Sequence, residues 1–268
     1  MIPPKLCLVT GASRGIGRQI ALGLADQGHK VIAISRSAID PSTLLALQKD
    51  LIVSLTGDVS DFSFIDKLEK QVASEHGVVQ ILINAAGVFG PIDLIQKSDP
   101  AEWTRTIFIN AIAPYYTTRC FLPRMLKSKW GRIVNLSSAA SLHPPGPLNS
   151  AYATSKVALN QLTRHIAVEI AGSGVTANVI HPGDVQSDMW ADIKVKAEAL
   201  GEVGKDYTAW VNWVDKTGGD DPVKALDLVL KLVTAESDAI NGRFCWIDQP
   251  LLAPIPSWED PINARPWG

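Results

Sequence analysis

Lys5-Leu-Cys-Leu-Val-Thr10-Gly-Ala-Ser-Arg-Gly-Ile-Gly17 begins as a short apolar run and passes straight into three glycines spaced G-x-x-x-G-x-G. Residues 16–27 then follow a helical period. A strand that turns on glycine into a helix lets backbone N–H groups approach an anion closely, and the positive end of the helix stabilises the charge. A ligand bearing a diphosphate is therefore expected against Gly11, Ser13, Gly15, Ile16 and Gly17. A nucleoside-triphosphate loop would need Gly-Lys-Ser/Thr at the helix entry, where this chain has Gly17-Arg18-Gln19. A tight turn without ligand stands as the alternative for the glycines taken alone.

The same alternation continues along the chain. Apolar runs at 30–35, 51–56, 79–84, 132–137, 175–180 and 242–247 predict six further strands. Segments of helical period lie between them at 62–75, about 100–127, about 151–171 and about 222–235. Strands that read as nearly continuous apolar runs are buried on both faces, as in a parallel sheet flanked by helices. The expected fold class is α/β: a doubly wound, seven-stranded parallel sheet with helices on both faces. A (β/α)8 barrel would need eight such units and leaves the glycine cluster after the first strand unexplained. Residues 1–248 are expected to form one domain, and 249–268, with Pro250, Pro254, Pro256, Pro261 and Pro266, an extended proline-rich arm.

Composition narrows the function classes. The 268 residues are 46% hydrophobic and 19% charged, as in a folded globular chain. Lys plus Arg (25) against Asp plus Glu (27) leave a net charge of -2, so neither nucleic acid nor a membrane surface is an expected partner. Cys7, Cys120 and Cys245 are odd in number and far apart, which argues against a disulfide framework or a structural zinc site and for a reducing, cytoplasmic location. The amino terminus lacks the apolar core of a secretory signal, and the uncharged run 81–92 falls short of the ~20 residues that span a bilayer. His29, His76, His143, His165 and His181 have no paired ligand spacing, and no metal is expected.

Two local patterns carry chemistry. Sites for NAD usually place an acidic side chain at the end of the second strand, whereas a ribose 2′-phosphate needs cationic donors. Here that end reads Ser35-Arg36-Ser37, and Arg14 in the glycine turn offers a second guanidinium, so NADPH/NADP+ is the predicted cofactor. Two solvated surface arginines are the alternative. Downstream, Tyr152 and Lys156 stand four residues apart on a predicted helix and so share one face. A phenol, with an ordinary pKa near ~10, becomes able to exchange protons when an adjacent ammonium lowers that value. A chance surface pair is the other meaning of this spacing.

Taken in order, the glycine turn, Asn84-Ala85-Ala86-Gly87, Asn110, Ser137-Ser138, Tyr152-Ala-Thr-Ser-Lys156 and Pro182-Gly183 resemble the short-chain dehydrogenase/reductase family, over about 6–248. The resemblance implies a Rossmann-type fold with Tyr152 as catalytic acid/base. Lys156 would lower its pKa and hold the nicotinamide ribose, Ser138 would hydrogen-bond the substrate oxygen, and Asn110 would hold a water in the proton relay. It further implies Asp58 and Val59 at the adenine and Asn84 with Gly87 along the adenosine side. Pro182, Gly183, Val185 and Ser187 would stand at the nicotinamide carboxamide. Where the family commonly reads Asn-Asn-Ala-Gly this chain has Asn84-Ala85-Ala86-Gly87, which puts one hydrogen bond bracing the central strands in doubt. Ser137 is expected to point away and satisfy backbone groups, with Ser141 a weaker candidate than Ser138. A homodimer or homotetramer is also implied.

Residues 184–221 hold Met189, Trp190, Tyr207, Trp210 and Trp213, where this family inserts a substrate lid. That density suggests a bulky, largely apolar substrate, although Trp210 and Trp213 fit an ordinary core-facing helix equally well. The loop 142–148 either borders substrate, with His143 in reach, or is a structural proline turn. Trp246, Trp258 and Trp267 are expected to close the pocket or pack on a partner subunit. The reading that results is an NADPH-dependent reductase of ketones or aldehydes. An alcohol dehydrogenase working oxidatively and a dinucleotide-sensing regulator are the alternatives, the latter disfavoured by retention of Ser138, Tyr152 and Lys156.

Overall fold

The computed structural model describes residues 3–143 and 145–248. It runs β1 (Leu6–Thr10), α1 (Gly15–Asp26), β2 (Lys30–Ser35), α2 (Ala46–Leu51), β3 (Ile52–Thr56), α3 (Phe62–Glu75) and β4 (Ile81–Asn84). There follow α4 (Pro100–Ile107), a π-helical turn (Phe108–Ile112), α5 (Ala113–Ser128), β5 (Gly131–Leu136), α6 (Ser150–Glu169) and β6 (Val175–His181). The described part closes with α7 (Asp188–Ala199), α8 (Lys205–Thr217), α9 (Pro222–Leu232) and β7 (Phe244–Trp246). The predicted arm 249–268, with Trp258 and Trp267, lies outside the described residues.

Among the described residues, seven parallel strands form one sheet in the order β3-β2-β1-β4-β5-β6-β7. Successive side chains on a strand face opposite ways, so each buried strand feeds two cores. Cys7, Val9, Val31, Ala33, Ile81 and Ile83 pack on one face with Ile20 and Leu24 of α1 and Leu228, Val229 and Leu232 of α9. Leu6, Leu8, Ile32, Ile34 and Leu82 pack on the other with Ile65 and Leu68 of α3, Phe121 and Met125 of α5 and Ile166 of α6. Each fully buried Val, Leu, Ile, Phe or Met among them contributes roughly 1.5–3 kcal/mol. Helix starts follow capping chemistry: Asp99 and Asp221 accept from Ala101 and Val223 N–H ahead of Pro100 and Pro222, and Asp61 accepts from Ser63 and Phe64.

Strand order reverses direction between β1 and β4, and Thr10 and Asn84 are register partners there. In a doubly wound sheet the crevice beyond that reversal, at the carboxyl ends of the strands, is where a ligand fits. Chain segments that end on Thr10 and on Asn84, distant in sequence, therefore face each other across it.

Two elements depart from the expected pattern. α2 carries no strong apolar period and has no counterpart among the expected helices. The expected long helix at 100–127 is one rod from Pro100 to Ser128 with a π turn in its middle. Pro114 has no N–H to offer the Asn110 carbonyl four residues earlier, which removes one α-helical bond at that place.

Candidate active site

The glycine turn bends back on itself: Gly11 and Gly15 take φ of +68° and +55°, values that side chains other than hydrogen disfavour. A Cβ on Gly17 would stand 2.4 Å from the Gly11 carbonyl oxygen, and one on Gly11 would stand 2.7 Å from Ala86 Cα. Thr10 Oγ1 accepts from both Ala85 and Ala86 N–H at 3.1 Å, holding the segment after β4 against the turn. The first turn of α1 has neither a side-chain cap nor an acidic residue, which leaves its positive end directed at the hollow beside it.

That hollow is a cavity of about 580 Å³. Gly11, Ser13, Arg14, Gly15, Ile16 and Gly17 form one end. Arg36, Asp58 and Val59 line it from beyond β2 and β3, and Gly87 from beyond β4. Tyr152 and Lys156 of α6, with Pro182 and Ser187 beyond β6, form the far wall. Ser35 Oγ donates to the Ser37 carbonyl at 2.6 Å and Ser37 Oγ to Ser13 Oγ at 3.3 Å, tying the end of β2 to the glycine turn. Arg14 meets Asp188 at 3.1 Å in an exposed pair, an arrangement of small energetic weight.

Several sequence-predicted residues lie elsewhere. Asn84 does not line the cavity: it is buried, donates to Asn135 Oδ1 at 2.8 Å and accepts from Thr117 Oγ1 at 2.7 Å. Asn135 in turn donates to Thr163 Oγ1 at 2.8 Å, so β4, β5, α5 and α6 share one chain of bonds. The doubted brace between the central strands is therefore present, made by Asn84 itself. Gly183 (φ +87°) packs against Ile247 and Asp220, where a Cβ would meet Ile247 at 2.6 Å, and Val185 bridges to Gly219. Asn110, in the π turn, sits behind Gly87. Its amide donates to the Val88 carbonyl and Ser155 Oγ and accepts from Val88 N–H, bonds of 2.8, 2.9 and 2.9 Å.

Around the phenol the geometry is close. Ser138 stands two residues beyond β5 and hydrogen-bonds the Tyr152 side chain. Its turn is anchored by His181, whose Nδ1 accepts from Ala139 N–H at 3.2 Å. Lys156 Nζ donates to the Leu136 carbonyl at 2.7 Å and lies 5.5 Å from the Tyr152 ring centroid. The sequence reading has Lys156 lowering the phenol. Instead, burial pushes Tyr152 up to about 12, opposed by the Ser138 hydrogen bond and reinforced by the Asp184 charge. Burial likewise brings Lys156 down to about 8. The Lys156 ammonium is directed at a backbone carbonyl and is not among the causes of the phenol's shift. Ser137 also differs from expectation, donating to Asn160 Oδ1 at 2.6 Å, while Ser141 donates to the Ser138 carbonyl at 2.6 Å.

An aromatic group adjoins the phenol. Phe89, which the sequence reading passed over, stacks on Tyr152 with centroids 4.5 Å apart and meets Tyr207 edge-on at 6.1 Å. Met189, Trp190, Tyr207 and Trp210 pack with Phe89 around Ile92, Leu148, Ile193 and Val211. Trp213, 49% exposed, is outside this group, and Trp246 packs between His143 and His181 on the sheet. Phe89 has a sequence signal only in its place, two residues beyond Gly87. No three His, Cys, Asp or Glu side chains among the described residues are grouped to hold a metal ion, and no helix among them is long and apolar enough to cross a membrane.

Fold and site together define a dinucleotide-binding oxidoreductase, and the model of the short chain dehydrogenase family matches residues 5–198. The chain belongs to that family. It is 34% identical over 249 residues to the 2-keto-3-deoxy-L-fuconate dehydrogenase of Xanthomonas campestris pv. campestris, covering 91% of this chain and 79% of the relative. It is 33% identical over 186 residues to the 3-oxoacyl-(acyl-carrier-protein) reductase FabG of Haemophilus influenzae, covering 69% and 76%. A solved structure, that of a single-residue variant of actinorhodin polyketide ketoreductase with NADPH, shares the fold with a TM-score of 0.79 at 24% identity over 91% of this chain and 95% of that one.

Proposed function

We propose that this protein reduces a ketone or aldehyde with NADPH, and that its substrate is bulky and apolar or aromatic. The observation that carries the reading is the placement of Tyr152 and Lys156 in the wall of a cavity whose other end is the glycine turn. The residues fit a nicotinamide dinucleotide: the glycine cradle excludes side chains where a diphosphate needs close backbone approach. Gly11, Gly15, Ile16 and Gly17 would hold the diphosphate, Arg14 and Arg36 the 2′-phosphate, and Asp58 and Val59 the adenine. Gly87 and Lys156 would border the ribose, with Pro182 and Ser187 at the carboxamide. A bound nicotinamide supplies the hydride.

The chain's own residues supply the proton. Ser138 shares its hydroxyl with Tyr152, so a carbonyl oxygen placed between them is polarised by one and protonated by the other. A phenol near about 12 stays protonated at neutral pH and so carries the proton that a reduced carbonyl oxygen takes up. Lys156, near about 8, remains largely cationic and holds the Leu136 carbonyl. Asn110 acts on the far side of Gly87, pinning Val88 through both backbone groups. The oxidative reading has its own support in the dehydrogenase relative's name. Phe89, Trp190, Tyr207 and Trp210 support an aromatic or bulky apolar substrate. A homodimer or homotetramer is the assembly we propose, supported by exposed Tyr115, Val157 and Val168 on α5 and α6.

The test is loss of NADPH absorbance across a panel of aliphatic and aromatic ketones and aldehydes, repeated with NADH and with Tyr152→Phe. Turnover is expected with NADPH and bulky aromatic carbonyls, and Tyr152→Phe should abolish it while NADPH affinity stays within about twofold. Substantial residual turnover removes Tyr152 from its role, and tight NADPH binding without turnover on any carbonyl supports the regulator reading.

A further inference from the structure

Ser138, which the proposed reaction places at the carbonyl oxygen, caps a single turn of 3-10 helix, Ala139–Ser141, just beyond β5. Its Oγ accepts from Ala140 N–H at 3.2 Å, which occupies one acceptor position and restricts where the hydroxyl directs its proton. So short a turn closes on few hydrogen bonds of its own, and its place is set from outside. On the sheet side, Ser137 N–H donates to the Ile180 carbonyl at 2.8 Å and Ala139 N–H to His181 Nδ1 at 3.2 Å. Those bonds fix the turn to β6. Tyr152 stands on α6, so they leave the spacing of Ser138 from the phenol undetermined.

Asn160 supplies the missing link. It lies on α6 one turn past Lys156 and two past Tyr152, on the same face, and is buried. Its Nδ2 donates to Ser141 Oγ at 2.8 Å and its Oδ1 accepts from Ser137 Oγ at 2.6 Å, so one amide grips the chain on both sides of Ser138. The direction of these bonds matters. Because Ser141 Oγ receives an N–H from Asn160, its own proton goes to the Ser138 carbonyl, at 2.6 Å, beside the Ser141 N–H at 3.0 Å. A carboxylate in place of the amide would accept from both hydroxyls and donate to neither, drawing the Ser141 proton off the Ser138 carbonyl. Asn160 does not line the cavity, so whatever it does for the reaction passes through the Ser138 turn.

We propose that Asn160 is a positioning residue for the reduction, an inference that rests on Ser138 and Tyr152 being the groups that meet the carbonyl oxygen. By ordering the Ser137 and Ser141 hydroxyls it holds the Ser138 turn against the helix that carries Tyr152 and Lys156. A displacement of about 1 Å at a reacting group costs about a hundredfold in rate, so the effect belongs in kcat and not in cofactor affinity.

Asn160→Asp keeps the size of the side chain and removes its donor. Ser141→Ala removes the middle hydroxyl at a half-buried place and serves where a buried carboxylate prevents folding, and Ser141→Thr keeps a hydroxyl there. With saturating NADPH and the carbonyl turned over fastest, Asn160→Asp and Ser141→Ala are expected to lower kcat about tenfold to a hundredfold. The Kd for NADPH, by calorimetry, should stay within about twofold, and Ser141→Thr should recover most of the rate. A merely structural role predicts a lower Tm with kcat of the folded enzyme unchanged, and kcat within about twofold of wild type in Ser141→Ala overturns the proposal. Crystal structures of the wild type and Ser141→Ala decide the placement without turnover: Ser138 Oγ should shift by about 0.5 Å or more relative to Tyr152, and an unmoved Ser138 overturns the proposal whatever the rate. If the wild type reduces no carbonyl, the reductase reading fails and takes the rate effect with it, while the position of Ser138 in the variant still shows whether this bond chain places it.

Discussion

Asn84→Ala removes the centre of the bond chain that joins the two middle strands, and its effect can be worked out from the partners. Two buried bonds disappear, to Asn135 at 2.8 Å and from Thr117 at 2.7 Å. Thr117 is not left unpaired, because its hydroxyl also reaches the Pro114 carbonyl at 3.1 Å. Asn135 Oδ1 has no such reserve and is fully buried, so it carries the desolvation penalty of an orphaned acceptor, about 1–3 kcal/mol. Since Thr117 keeps a partner, the net loss is the Asn135 bond at about 1 kcal/mol, and with the orphan penalty the substitution should destabilise the protein by about 2–4 kcal/mol. Asn135→Ala frees Thr163, which keeps the Leu159 carbonyl at 2.8 Å. The double variant Asn84→Ala/Asn135→Ala removes the orphan, so it should be less destabilised than the sum of the singles by about 1–2 kcal/mol. Equilibrium urea unfolding at one protein concentration measures this, since assembly shifts apparent stability with concentration. A loss below about 1 kcal/mol for Asn84→Ala, or additivity within about 0.5 kcal/mol, would refute the reasoning.

Gly17→Ala places a methyl group 2.4 Å from the Gly11 carbonyl and forces the turn open. The fold should survive, while dinucleotide affinity measured by calorimetry falls about tenfold or more, and an unchanged affinity contradicts the assignment of the cradle. His181 accepts from Ala139 N–H and so must be neutral, and burial holds its pKa below the ordinary 6.5, with the His143 charge assisting and Asp184, Asp220 and Asp248 opposing. The unfolded chain takes up that proton first as pH falls, so this contribution is complete above about 6.5 and is lost progressively below it. Thermal unfolding from pH 7.5 to 5 should show a steeper acid-side loss in the wild type than in His181→Asn, which keeps an acceptor without titrating, and parallel profiles would remove His181 as the cause.

Much of the architecture was readable because its signals are local. An apolar run bounded by turn residues identifies a buried strand without knowledge of its neighbours, as β1, β2 and β4 show. The glycine turn is equally local, since steric exclusion acts between residues six apart, Gly11 and Gly17. α2 was not legible because six residues with one buried side chain, Gln48, give no period to read. Tyr152 and Lys156 were visible as a pair through helical spacing. The direction of their pKa shifts was not, because burial is a property of everything packed around them.

The order of residues, then, dictated a seven-stranded α/β chain, its glycine cradle and the tyrosine–lysine pair, all of which depend on neighbours within one turn or one strand. Packing alone settled the rest. Thr10 meets Ala85, 75 residues away, only because β1 lies beside β4. Asn84 serves the sheet and not the cavity because Asn135 is its register partner. Phe89 lies on the phenol for the same reason: contacts between elements follow from which strands are adjacent, and no single segment carries that information.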